Sequence, residues 1–232
     1  MKLLLLLLNA GKLGKLLLSG GSMLISVAVY AWVFGWAYAV GFVALILVHE
    51  MGHLLAARQC GLAVSAPMFI PFVGAWVALK DDNLDAHTEA YVGLGGPVLG
   101  TVAAFVCYLL AQETGKPLWM ALAYAGFFIN LFNLVPLRPL DGGRIVRAVS
   151  TRLWWVGLPL LVALFIWRPS PLLAMVGLLA LPDIWAAWRG QADTSAQAVP
   201  LKVRWQFGSI YLALVAGLAV MALDAHQRLP PV

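Results

Sequence analysis

Long apolar runs separated by short polar stretches make up most of this chain. From 21 to 48 there is no charged residue, which is too long for one membrane span of about 20 residues and too short for two. The second span therefore has to continue through His49 and Glu50 to about residue 57. Dividing the run near 35–41 gives spans over about 21–36 and 38–58. The stretch 64–79 is also apolar but carries Pro67, Pro71 and Gly74. Those breakers argue for short extended pieces, a hairpin or a re-entrant segment rather than a helix. A polar stretch, 80–89, precedes spans over about 91–112 and 118–137. Short, proline-flanked runs at about 153–167 and 171–187, a polar linker at 190–200 and a last run at about 206–223 complete the pattern. The first 20 residues, with Leu3–Leu8 between Lys2 and the pair Lys12 and Lys15, suit an interfacial helix.

Composition agrees with this pattern. Of 232 residues, 62% are hydrophobic and 11% charged, and the mean hydropathy is +0.90. A soluble domain is about a quarter charged, so too little polar surface exists here to cover a core in water. The expected architecture is an all-α polytopic membrane protein of about six to seven transmembrane helices, with a short β-hairpin or re-entrant segment after the second. Three regions are expected: an N-terminal interfacial segment (1–20), a core (21–152) and C-terminal transmembrane helices (153–232). The net charge of +5 is spread between spans, which speaks for topology and against a nucleic-acid partner. With a cytoplasmic N-terminus and seven alternating spans, only Lys116, Arg168 and Arg228 of the 15 Lys and Arg fall on the far side. Positive-inside bias thus places the N-terminus in the cytoplasm, and the cell membrane is the expected location. Arg138 is expected to snorkel to lipid phosphates, and Arg144, Arg147 and Arg152 to set topology and meet anionic lipid.

Chemistry enters at His49-Glu50-Met51-Gly52-His53. On a helix, His49 and His53 share a face and can reach one metal ion. Glu50 lies beside them, placed to take a proton from water. This is the H-E-x-x-H arrangement of zinc hydrolases. It interrupts an apolar span, where ionisable groups are costly and mark function. Glu50 precedes Arg58 by eight residues, about 12 Å of helix at about 1.5 Å per residue, so the site lies inside the membrane on the cytoplasmic side. Zinc catalysis uses a third protein ligand. His87, His226 and nine carboxylates (Asp81, Asp82, Asp85, Glu89, Glu113, Asp141, Asp183, Asp193 and Asp224) are the candidates. Most lie in polar loops. Asp141 follows Pro136 and Pro139 and precedes Gly142 and Gly143, where the chain unwinds and the backbone can approach another group. Spacing leaves it open as a third ligand or as part of an Asp-Gly turn.

The H-E-x-x-H helix followed by Asn133-x-x-Pro136-x-x-x-Leu140-Asp141-Gly142 resembles the site-2 protease family of intramembrane zinc metalloproteases, over about residues 38–147. The resemblance implies Zn2+ held by His49, His53 and Asp141, Glu50 as general base, and Asn133 as a catalytic hydrogen-bond donor near the substrate carbonyl. It implies hydrolysis of peptide bonds within or near transmembrane helices of membrane-protein substrates in the lipid bilayer. One departure stands out. Family members often have Gly-Pro-x-x-Asn at the start of the third core span, whereas Gly96-Pro97-Val98-Leu99-Gly100 has glycine at the asparagine position, which removes a polar contact. Two other classes compete. A catalytically silent helix-binding membrane protein would keep the fold without the cleavage. An ion transporter would show two similar halves, and no such repeat is present.

Overall fold

The computed structural model describes residues 19–64, 68–71, 74–76, 84–189 and 198–229. Most of the proposed interfacial segment, parts of 64–79 and 80–89, and most of the linker at 190–200 lie outside the described residues. Helix α1 (Ser19–Phe34) ends at Gly35, whose φ of 85° breaks the run, and α2 (Trp36–Gln59) follows. Strands β1 (Met68–Ile70) and β2 (Gly74–Trp76) pair antiparallel, Phe69 opposite Ala75. Next come α3 (Ala86–Thr114), α4 (Pro117–Asn133), α5 (Asp141–Val149), a 3-10 turn (Thr151–Leu153), α6 (Trp154–Trp167), α7 (Pro171–Trp188) and α8 (Leu201–Gln227).

Local chemistry sets the boundaries. Asp85 caps α3, accepting hydrogen bonds from the Thr88 N–H and hydroxyl, and these bonds hold its carboxyl below the usual range. Gly115, at φ 64°, closes the same helix in the left-handed region. Helix α4 stops at Asn133, four residues short of the span expected from hydropathy. Pro136 has no N–H to continue the ladder and biases Val135 away from helix. Within the basic stretch after it, Asp141–Val149 forms a helix of its own.

The exterior is apolar. Trp32 is 91% exposed, Trp188 77% and Ile166 74%, a surface suited to lipid rather than water. Helices α2, α3 and α8 are long and apolar enough to cross a membrane, and α1, α4, α6 and α7 are shorter apolar helices. Inside, Leu122, Phe127, Leu134, Leu137, Ile145 and Val146 are fully buried among α4, α5 and the segment between them.

Two devices position the site. The first is a close crossing of α2 and α3. A Cβ on Gly52 would strike the Gly95 carbonyl, and one on Gly95 would strike that of Gly52. The second is an ion cluster. Glu89, in the first turn of α3, pairs with both Arg138 and Arg147. Arg138 also lies 5.8 Å from the Trp154 ring centroid and 3.9 Å from Asp183. Arg138 and Arg147 are thus not simply lipid-facing cations, as their positions had suggested. They tie the segment before α5, and α5 itself, to α3.

Overpacking typically costs about 1–3 kcal/mol. Gly52→Val should reach the top of that range because backbone, not a yielding side chain, lies in the way. Glu89→Ala should cost about 3 kcal/mol by stranding two guanidinium groups. Melting in detergent checks both, and a midpoint equal to the unsubstituted protein's would contradict the corresponding contact.

Candidate metal centre

Helix α2 places His49 and His53 one turn apart, with ring centroids 4.8 Å apart and planes at 80°. Asp141 reaches them from the first residue of α5. The three side chains converge. The Nε2 atoms of His49 and His53 are 3.1 Å apart, and Asp141 Oδ2 lies 3.2 Å from each. All three residues are buried, and so is Glu50 beside His49.

Hydrogen bonds behind the rings fix their protonation. His53 Nδ1 lies 2.8 Å from the Val92 carbonyl, which only accepts, and 3.3 Å from the Gly96 N–H, which donates; the shorter contact places the ring hydrogen on Nδ1. His49 Nδ1 lies 2.8 Å from Asn130 Oδ1. The Asn130 amide group donates to the Gly126 carbonyl at 2.7 Å. This sets its orientation and turns its oxygen toward His49, whose Nδ1 must then donate. In the neutral rings both Nε2 atoms are therefore bare lone pairs, and a carboxylate oxygen also only accepts. Three acceptors facing one another at about hydrogen-bond distance repel unless a cation lies between them. The donor set and spacing fit zinc. Bonds of about 2.0–2.1 Å in a tetrahedron give ligand–ligand edges of about 3.3 Å.

Helix α3 forms the floor. A Cβ on Gly96 would run into both imidazoles, so glycine is required for α3 to pass this close. At Gly142 and Gly143 a Cβ would meet the backbone of 134–138. These glycines let α5 start directly beneath that segment, with Asp141 aimed at the rings. The Leu134 carbonyl accepts from the Tyr211 hydroxyl of α8 at 2.6 Å, and the Gly143 carbonyl from the Trp154 indole at 3.1 Å.

The remaining candidates do other things. Glu89 is in its arginine pair, Asp85 caps α3, and Asp183 lies near Arg138. Asp224 accepts from Tyr108 and Arg228. His87 packs edge-on to Phe207 and His226 against Tyr124, and Glu113 is exposed. Asp81, Asp82 and Asp193 lie outside the described residues. Among the described residues, His49, His53 and Asp141 are the group of three able to share a metal ion. Asn133 ends α4 half-buried; the asparagine that bonds a ring of the cluster is Asn130, one turn earlier. Sequence reasoning passed over Asn130. The signal was available, since it is the one polar side chain in the apolar interior of α4, where an amide needs a partner. A cleft of about 560 Å³ bordered by Leu55, Gln59, Tyr91, Val98, Gln206 and Phe207 includes none of the cluster residues.

Several known proteins are similar. Zinc metalloprotease MJ0392 of Methanocaldococcus jannaschii is 31% identical over 116 residues, 48% of this chain and 33% of that protein. The Rip3 protein of Mycobacterium tuberculosis is 32% identical over 134 residues, 54% of this chain and 34% of that one. The chain thus spans about a third of the length of these curated relatives (33% and 34%). Among solved structures, the site-2 protease from Methanocaldococcus jannaschii aligns with 90% of this chain and 87% of its own, at 18% identity and a TM-score of 0.45. The sequence model of peptidase family M50 matches residues 37–117 and 110–159. It takes in both the helix that carries the two histidines and the aspartate that joins them over more than half of the chain, which therefore belongs to peptidase family M50.

Proposed function

We propose that this protein is an intramembrane zinc metalloprotease that hydrolyses peptide bonds within or near the transmembrane helices of membrane-protein substrates. The observation that carries the reading is the convergence of His49 Nε2, His53 Nε2 and Asp141 Oδ2 in a chain with an apolar exterior. His49, His53 and Asp141 hold the metal, and Glu50 and Asn133 serve the reaction. The core is 21–152, preceded by an interfacial segment (1–20) and followed by C-terminal transmembrane helices (153–232), with about six to seven spans in all. The N-terminus and the active site face the cytoplasmic side of the cell membrane, in keeping with the distribution of Lys and Arg.

Zinc bound there supplies Lewis acidity to the scissile carbonyl and to the attacking water. Glu50, next to His49 on α2, takes the proton from that water and passes it to the leaving amide nitrogen. Asn133 donates a hydrogen bond to the oxyanion that develops on the carbonyl. A substrate helix must unwind first, because its carbonyls are already hydrogen-bonded. The extended segment within 64–79 is suited to receive the unwound strand by edge pairing. On β1, however, the Phe69 N–H donates to the Ser22 hydroxyl of α1 at 3.0 Å. Pairing there requires that part of α1 to yield.

Removing the metal from purified protein with a chelator should lower its melting midpoint, since bound metal stabilises the folded state. His49→Ala and Asp141→Asn should abolish the chelator-sensitive shift, and the reading fails if both keep stoichiometric zinc. Glu50→Gln should retain zinc and lose at least about 100-fold in cleavage of a single-span membrane protein, as expected for removal of a general base. Co-expression of the active and Glu50→Gln forms with candidate substrates would show which remain uncut. Cleavage by the Gln form at the rate of the unsubstituted protein, with host proteases deleted, rejects Glu50 as the base. Zinc binding without any cleavage would make the protein a silent helix binder.

A further inference from the structure

We propose that Asn130 is the positioning residue for His49, and that the missing side chain at Gly100 is what admits it. The inference rests on the zinc-site reading above and adds a residue that neither spacing nor motif singled out.

Asn130 is buried in α4, a helix otherwise apolar from Leu118 to Phe132. Desolvating a primary amide is costly unless its donors and acceptor are used. Here its nitrogen donates to the Gly126 carbonyl at 2.7 Å, and its oxygen lies 2.8 Å from His49 Nδ1. The first bond is within its own helix and orients the amide. The second crosses to α2 and sets both the tautomer and the ring rotation of His49. A His49 ring carrying its hydrogen on Nε2 would present no lone pair at the atom that faces His53 and Asp141. The two histidines are thus held by different means. His53 is held by a backbone carbonyl, that of Val92, which no single substitution removes. His49 depends on one side chain delivered from another helix.

Gly100, on α3, faces the same amide. A Cβ built there would overlap Asn130 Oδ1, Nδ2 and Cγ. Any larger residue at 100 must displace the amide from the position in which it meets His49. The same geometry means that a short amide side chain mounted at 100 would occupy the volume Asn130 now fills. The amide can therefore come from either helix, but not from both.

The test measures zinc dissociation constants by chelator competition on purified full-length variants, beside the melting midpoint of each zinc-free protein. Asn130→Leu removes the bond while excluding water. It should raise the zinc dissociation constant about 10- to 100-fold, the usual cost of losing the group behind a ligating histidine. Gly100→Ala should also weaken zinc binding, although alanine is intrinsically the better helix former. The paired change Asn130→Ala with Gly100→Asn should recover most of the affinity lost in Asn130→Ala alone, a rescue that general helix packing would not produce. If Asn130→Leu does not fold, Gly100→Ala and the paired variant decide the matter. The proposal is overturned if the folded Asn130→Leu and Gly100→Ala proteins both bind zinc within about twofold of the parent, or if the folded paired variant binds no better than Asn130→Ala. A parent protein that binds no zinc would overturn the metal site along with it, whereas an unchanged zinc constant in the variants would overturn this inference alone.

Discussion

Three lone pairs pointing at one spot, each about 3.2 Å from the next, are the constraint around which the protein is arranged. With both rings neutral and donating through Nδ1, nothing in the trio can donate to the others. Without a cation the arrangement is repulsive, and the surrounding structure must hold it. Each helix near the site contributes a different kind of support. Helix α2 supplies two imidazoles by periodicity alone. Helix α3 supplies a carbonyl and a glycine floor, α4 an amide, and α5 the carboxylate. Metal binding relieves the repulsion, so affinity and stability are coupled.

The carboxylate is the hardest part to place, because it must come from a distant part of the chain and enter between two packed helices. The chain accomplishes this by ending α4 early. Pro136 stops the helix, residues 134–140 run irregularly, and α5 begins with Asp141 already at the rings. Glycines at 142 and 143 allow α5 to lie against that segment. The Glu89 pairs with Arg138 and Arg147 bolt it to α3. The Arg204 guanidinium of α8 donates to the Val149 carbonyl at the far end of α5 at 2.7 Å. A nine-residue helix is thereby fixed at both ends, so its first side chain has little freedom.

What could be read from the sequence follows from the range of each interaction. His49, Glu50 and His53 are four residues apart at most, and helical periodicity alone brings the two rings together. Asp141 was open by spacing and required a resemblance between motifs, because its approach depends on how separate helices pack. Helix α5 is not legible in the sequence because Arg144 and Arg147 read as topology and lipid-contact residues, whereas Arg147 is half-buried in a pair with a residue 58 positions away. Gly100 was read as a lost polar contact. Only the α3–α4 packing discloses that Asn130 of α4 fills the space above the glycine. The early stop of α4 is legible in the prolines that follow it, Pro136 and Pro139, but hydropathy, which does not register backbone donors, runs the span on to about 137.

In lipid, apolar side chains gain little by leaving the solvent for one another, so helices associate through close backbone approach and polar bonds. That explains why the groups that shape this site are also those that hold its helices together. The Gly52–Gly95 crossing brings α2 onto α3 and at the same time brings Gly96 against both imidazoles. The Asn130–His49 bond joins α4 to α2 and at the same time sets a ring. The Glu89 cluster joins α3 to α5 and at the same time aims Asp141. A water-soluble enzyme can place its catalytic groups on a scaffold stabilised elsewhere by a hydrophobic core. Here polar atoms are scarce, with 11% of residues charged, and the same few contacts serve both ends. Loosening one of them to let a substrate approach must therefore also disturb the metal site. The mobile parts should be drawn from elements that contribute no group to the trio or its supports, such as α1 and the β1–β2 pair, while α2, α3, α4 and α5 move as one body.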